Sequence, residues 1–230
     1  MPWNKGLTKE THPSLMKTSQ TMKRKRIDNF AKWRKKMKRL GKIPANYHLL
    51  RPSKYVAEYI GVVLGDGNIG KFPRTERILI SGNSNNPGFI KRYTEFTKRL
   101  FGKEPTVAKV FGKNAVRISL YQKEISRRLG VPCGNRQKLK INIPTWIWNN
   151  RNFRIKLLRG LFEAEGSLSI HKPTYTYNFA FSNTNRSLLK TVERFLRELE
   201  FHPEVRHNAV RVQRRLEVER LRRLIAFRKY

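Results

Sequence analysis

This chain has little cysteine, little acid and no long apolar run. Its lone cysteine, Cys133, excludes an internal disulfide framework and any zinc site built from several cysteines. It sits between Pro132 and Gly134, with no histidine near it in sequence, and reads as a small turn residue. No apolar stretch approaches the roughly 20 residues that span a bilayer, and the opening Met1-Pro2-Trp3-Asn4-Lys5-Gly6 is too polar for a secretory signal. The histidines at 12, 48, 171, 202 and 207 show no metal-ligand spacing. Among the 230 residues only 16 are Asp or Glu, against 51 Lys and Arg, a formal net charge of +35. A field of that size calls for a polyanionic partner. The expectation is a nucleic-acid-binding protein without membrane association. Its place would be intracellular, in the cytoplasm or on the nucleoid, with an organelle as the alternative.

Where acids are scarce, their positions carry information. Tyr59 to Gly67 reads YIGVVLGDG and Leu158 to Gly166 reads LRGLFEAEG. Each is an apolar, helix-like run with small residues one turn apart, closed by a carboxylate and a glycine. The acids, Asp66 and Glu165, lie 99 positions apart. Asn83 in SGNSN has a counterpart in Asn183 of FSNTN, and Asn114-Ala115-Val116-Arg117 recurs as Asn208-Ala209-Val210-Arg211. The order is the same both times, so the chain reads as a domain-sized duplication, a pseudo-dimer.

Periodicity supplies the rest of the plan. Residues 1–50 form a basic, mostly helical N-terminal extension, with 14 basic and 2 acidic residues. Within it Ile27, Phe30, Trp33, Met37 and Leu40 mark one apolar helix face, with Lys35 and Arg39 on the basic remainder. Two readings stand: a solvated helix or tail, or a DNA-binding arm. The halves follow over 51–140 and 141–230. Helices are expected at 53–66, 88–101, 152–165 and 186–200, strands at 78–81, 167–171 and 176–182, and hairpins over 106–121 and 204–213. Each half is then an αββαββα unit, and the fold class is α+β with a pseudo-twofold tandem repeat. Alternation puts Arg117, Ser119 and Tyr121 on one strand face and Val116, Ile118 and Leu120 on the other. The apolar face packs on helices; the polar face is free to lie in a DNA major groove.

A carboxylate at a helix C-terminus meets the negative end of the macrodipole and unsatisfied carbonyls. Two such ends together need a cation, and oxygen-only ligands suit Mg²⁺. Gly61 and Gly65, like Gly160 and Ala164, lie one turn apart and would let two helix backbones touch. That packing would set Asp66 beside Glu165. A single GDG or AEG at a helix end is common and says little; two in matched contexts point to one paired centre suited to metal-assisted phosphodiester hydrolysis.

These paired segments resemble the motifs of LAGLIDADG homing endonucleases in their single-chain form, and INIPTWIWNN (141–150) is similar to the connection leading into the second motif. The resemblance covers residues 53–230. It implies two saddle-like halves on double-stranded DNA, with the sheets in adjacent major grooves. It also implies a monomer that cuts each strand across the minor groove with Mg²⁺ (Mn²⁺ substituting) and leaves short 3′ overhangs. Asp66 and Glu165 would be the metal ligands, assisted by the carbonyls of Gly65 and Ala164. Asn83 and Asn183 would orient solvent. Lys123, and Arg214 or Arg215, would be the basic residues after each half's last strand. Base readout would fall to groove-facing residues such as Arg77, Arg117, Ser119, Tyr121, Asn178, Arg211 and Gln213. The family also includes RNA maturases and non-cutting relatives, so intron RNA is a further candidate partner. The alternative function is a nucleic-acid-binding protein that does not cleave. PWNKGLTKETHPS (2–14) resembles modular DNA-binding segments found beside homing nucleases.

Overall fold

A computed structural model describes residues 5–25, 27–43 and 46–230. It separates into two compact units, residues 1–47 and 48–230. The first contains helices α1 (Pro13–Arg24) and α2 (Ala31–Arg39). Neither helix has a buried residue, and Phe30 and Trp33 are exposed. Trp3, at the start of the segment likened to DNA-binding modules, lies outside the described residues.

The second unit begins its regular structure at α3 (Lys54–Gly65), where Ser53 Oγ accepts the Val56 amide at 3.2 Å and caps the helix. Then come β1 (Gly67–Phe72), β2 (Thr75–Asn83), α4 (Pro87–Phe101), β3 (Thr106–Lys109), β4 (Ala115–Gln122) and the short α5 (Ile125–Leu129). A connection containing α6 (Thr145–Trp148) leads to the second copy: α7 (Arg151–Glu165), β5 (Gly166–His171), β6 (Thr176–Ser182), α8 (Arg186–Glu198), β7 (Glu204–Arg206), β8 (Ala209–Val212) and α9 (Arg215–Leu224). The two four-stranded antiparallel sheets have the same order, β1-β2-β4-β3 and β5-β6-β8-β7. The fold is α+β with a tandem αββαββα repeat, as the sequence implies. Strand β1 was not resolved in the sequence: in Gly67-Asn68-Ile69-Gly70-Lys71-Phe72 two glycines interrupt the alternation, and Ile69 alone is buried.

The sheets bury one face. Ile69, Ile78, Ile80, Ile118 and Leu120 line the first and Phe179, Phe181, Val210 and Val212 the second, all at most 2% exposed. Both inner faces pack on α3 and α7, which are enclosed almost all round: Val56–Leu64 and Leu157–Glu163 are buried. The duplication register is anchored at the glycine after each acid, since Gly67 pairs with Ile80 and Gly166 with Phe181. Ile80 then pairs with Ile118, and Phe181 with Val210. The Asn-Ala-Val-Arg repeats nevertheless begin β4 and β8 at matching places, since Ala115 pairs with Asn83 and Ala209 with Ser182, the last residues of β2 and β6; the two-residue difference lies in the greater length of β2.

Helices α3 and α7 touch backbone to backbone. A Cβ added to Gly61 would lie 2.3 Å from the Leu157 carbonyl oxygen, and one on Gly160 would lie 2.0 Å from that of Glu58. Charges cross the same seam. Buried Glu58 accepts Arg92 Nε at 2.7 Å and Nη2 at 3.0 Å, and Arg159 Nε lies 3.3 Å from it. Glu163 accepts the Arg228 amide at 2.6 Å and the Tyr230 hydroxyl, so its carboxylate anchors the final residues to α7.

Because the obstacles at Gly160 are backbone atoms, they cannot rotate away. Gly160→Ala should lower unfolding stability by about 3 kcal/mol, the upper end of overpacking costs. Chemical denaturation checks this; a loss below about 0.5 kcal/mol, the range of ordinary surface substitutions, would show that the helices are not in contact.

Candidate active site

The close packing of α3 and α7 brings their C-terminal ends together. A Cβ on Gly65 would lie 2.5 Å from Ala164 Cβ and 3.3 Å from Glu165 Cγ. Asp66 follows Gly65 as the α3 C-cap, and Glu165 ends α7. The two carboxyls therefore meet at the seam between the halves.

Their isolation from cations is unexpected in so basic a chain. Glu58, Glu104, Glu124, Glu193, Glu198, Glu204, Glu217 and Glu219 all pair with Lys, Arg or His. Among the described residues neither the Asp66 nor the Glu165 side chain has a hydrogen bond or ion pair, and the Gly65 and Ala164 carbonyls, at the helix ends, accept none from the loops and turns. Burial raises the Asp66 carboxyl, and the nearby Glu165 charge adds to it, to about 7 from an ordinary 3.8. Burial also raises Glu165. Asp66 is exposed by surface area although protein surrounds much of its carboxyl. Solvent screens it on the open side, so less stability is at stake than for an enclosed acid. The Glu165 charge acts on Asp66, whereas burial alone raises Glu165.

Two carboxylate groups and two carbonyls, all without partners, suit a hard divalent cation. No cluster of three or more His, Cys, Asp or Glu occurs among the described residues, so any cation here would need further oxygens from water or a bound phosphate.

Arg136 is the residue that sequence reasoning missed at this site. Its Nη2 donates to the Val63 carbonyl at 2.8 Å and the Gly67 carbonyl at 2.5 Å, capping the negative end of α3. Its Nη1 is enclosed and without a partner. Burial lowers its pKa, but a guanidinium stays charged. In the sequence it was one residue of a basic connecting stretch, and nothing local distinguished it. Arg136, Gly65, Asn68, Glu165 and Asn183 share one cleft of about 440 Å³.

The other candidates divide. Asn183 lines that cleft, but its Oδ1 accepts the Asn185 amide at 2.8 Å, and Asn83 Oδ1 accepts that of Asn85 at 2.9 Å. Both asparagines close turns into α4 and α8. The structure does not bring Lys123 or Arg215 to the acids. Lys123 follows Gln122, which pairs with Glu76, itself opposite Lys71 near the far end of β1. Arg215 ion-pairs with Glu219 at 3.4 Å and stacks over Tyr177, opposite Ile170 near the far end of β5. Each strand leaving an acid runs away from it, so residues after the last strand end up remote.

Register places Arg77, Ser119 and Tyr121 on the outer face of the first sheet with Arg117, and Asn178 and Arg211 on that of the second, while Gln213 follows the last residue of β8. Arg211 is held by Glu204 at 2.8 Å, whereas Arg117 is exposed. Lys35 and Arg39 lie on α2, in the separate first unit. No helix among the described residues is long and apolar enough to cross a membrane.

Comparison with known proteins agrees with this geometry. Residues 152–230 match the LAGLIDADG-like domain family. No curated protein matches in sequence. Among solved structures, the homing endonuclease I-DmoI in complex with DNA and Mn superposes with a TM-score of 0.52 at 17% identity, over 75% of this chain and 96% of that one. The N-terminal LAGLIDADG domain of DUF199/WhiA gives 0.50 at 15%, over 75% of this chain and 82% of that one. Full-length DUF199/WhiA from Thermatoga maritima gives 0.50 at 15%, over 77% and 61%. At these identities the likeness establishes the fold.

The raised carboxyls have a testable sign. A folded-state pKa above the unfolded value means the fold holds the proton more tightly, so stability falls as pH rises from about 4 to about 7 and is level above. Without divalent cation, Asp66→Asn should melt above the parent at pH 8, with the gap closing as pH falls towards 4. Equal melting temperatures at pH 8 would contradict the repulsion.

Proposed function

We propose that this chain, a LAGLIDADG-fold protein whose residues 152–230 form a LAGLIDADG-like domain, is a site-specific double-strand DNA endonuclease. The observation that carries the reading is the pair of adjacent, unpaired carboxylates at the seam of a chain of net charge +35. An exposed acid costs such a protein DNA affinity, so two placed where duplex would lie need a use beyond binding.

In this proposal the basic body holds the duplex by its phosphates, and the outer sheet faces enter successive major grooves. The seam then lies over the intervening minor groove. A divalent cation, Mg²⁺ or Mn²⁺, would supply charge neutralisation at the scissile phosphate and activation of water. Asp66, Glu165 and the Gly65 and Ala164 carbonyls would hold it. Arg136 keeps the α3 terminus neutralised through the Val63 and Gly67 carbonyls. Asn83 and Asn183 fix the turns flanking the seam. Each strand would be cut once, leaving short 3′ overhangs, by a monomer acting in a DNA-bearing intracellular compartment.

Selecting cleaved sites from a randomised duplex library in Mg²⁺ tests this directly. The parent should cut one long, asymmetric site. Asp66→Asn and Glu165→Gln should each lose at least about 100-fold in rate, equivalent to about 2.7 kcal/mol, with binding retained. Unchanged cutting by both variants sinks the proposal. Tight binding with no cut in Mg²⁺ or Mn²⁺ would instead assign a non-cleaving nucleic-acid-binding role, with intron RNA the next ligand to try. In either case affinity must fall steeply with salt.

A further inference from the structure

We infer that residues 225–230 form a clasp between the two halves, and that Tyr230 is a positioning residue for Glu165. The clasp stands on contacts alone; its effect on cutting rests on the nuclease reading above.

The segment leaves α9 and crosses from the second half to the first. It does so in a costly conformation, since Ala226 and Arg228 are left-handed, at φ of 50° and 52°, without being glycine. Partners fix it there. Both oxygens of the fully buried Glu163 side chain are committed to it: one accepts the Arg228 amide at 2.6 Å, the other the Tyr230 hydroxyl. Arg159 Nη2 donates to the Lys229 carbonyl at 2.7 Å. Ile225 and Phe227 are buried, with the Phe227 ring centre 4.9 Å from that of Phe179.

The far end of the segment rests on the first half. Helix α4 carries Gly88 in its first turn, where glycine is a poor helix former. Gly88 lacks the positive φ that would call for glycine. Tyr230 supplies the reason: a Cβ on Gly88 would lie 2.6 Å from the Tyr230 Cγ and 2.8 Å from its Cβ. Asn86, the α4 N-cap, donates from Nδ2 to the Tyr230 hydroxyl at 3.4 Å. That hydroxyl therefore bridges Asn86, in the turn that Asn83 closes, and Glu163, two residues before Glu165 on α7. A second route runs beside it. Arg159, which holds Lys229, also lies 3.3 Å from Glu58, the carboxylate that holds Arg92 of α4. Helix α4 and the C-terminal part of α7 are thus tied by groups of fixed geometry. Loosening the tie frees α7 to shift against the first half, and Glu165 to shift against Asp66.

A double-mutant cycle tests the clasp. Gly88→Ala should lower the melting temperature of the parent by about 3 °C or more, through overpacking against the Tyr230 ring. In a Tyr230→Ala background that space is open, and the same change should leave the melting temperature level or raise it. Equal shifts in both backgrounds overturn the clasp. Tyr230→Phe then tests positioning, because it keeps the ring and removes only the hydroxyl. On a duplex selected for cleavage in Mg²⁺, well below the melting temperature, it should lower kcat roughly 10-fold or more, with duplex affinity in Ca²⁺ unchanged. A coupled cycle with kcat unchanged makes the segment a stabiliser only; that overturns the positioning role and leaves the nuclease proposal intact. A parent that cuts no duplex sinks the nuclease proposal and the positioning role together, while the cycle still decides the clasp.

Discussion

Everything at the proposed site depends on two helices touching without side chains between them. Gly61 and Gly160 let α3 and α7 approach until carbonyl oxygens occupy the space that a Cβ would need. Close packing of this kind is unforgiving, because backbone cannot rotate away as a side chain can. It joins the cores of the two halves into one hydrophobic cluster and fixes the spacing of the helix ends. The ionic group around Glu58 crosses the same contact, with Arg92 from α4 and Arg159 from α7 on one buried carboxylate.

That geometry forces two acids into one place. Helix C-termini already carry partial negative charge, and Asp66 and Glu165 add two carboxyls to it. Burial and mutual repulsion hold the pair in tension, visible in the raised Asp66 carboxyl. Arg136 offsets part of this on the α3 side, and among the described residues no side chain caps the α7 end in the same way. The centre is unequal in another way, since Glu165 reaches one methylene further than Asp66. A twofold scaffold thus carries a centre whose sides differ in reach and in neighbouring charge.

Much of this was legible in the sequence because it is local. YIGVVLGDG and LRGLFEAEG disclose helix, close-packing residues and acid within nine positions each, and their repetition discloses the seam. The strand alternation around Arg117 is equally local. What stayed hidden depended on tertiary placement. Arg136 acts through carbonyls 69 and 73 positions away. The Asn-Ala-Val-Arg rhyme marks two matching strand starts, but it does not disclose that β2 is longer than β6. Lys123 and Arg215 looked suitable by order along the chain, yet antiparallel pairing carries them to the far ends of their sheets. Asn83 and Asn183 do close the turns their neighbours suggest, a job that sequence alone does not separate from orienting solvent.

The central claim is that Asp66 and Glu165 form one composite cation site and not two separate acids. A double-mutant cycle on Mg²⁺-dependent thermal stabilisation of the DNA-bound protein measures this most directly. If the site is shared, Asp66→Asn and Glu165→Gln will each abolish nearly all of the stabilisation, and the double variant will lose no more than either single one. Additive losses, each variant retaining about half of the effect, would contradict a shared centre.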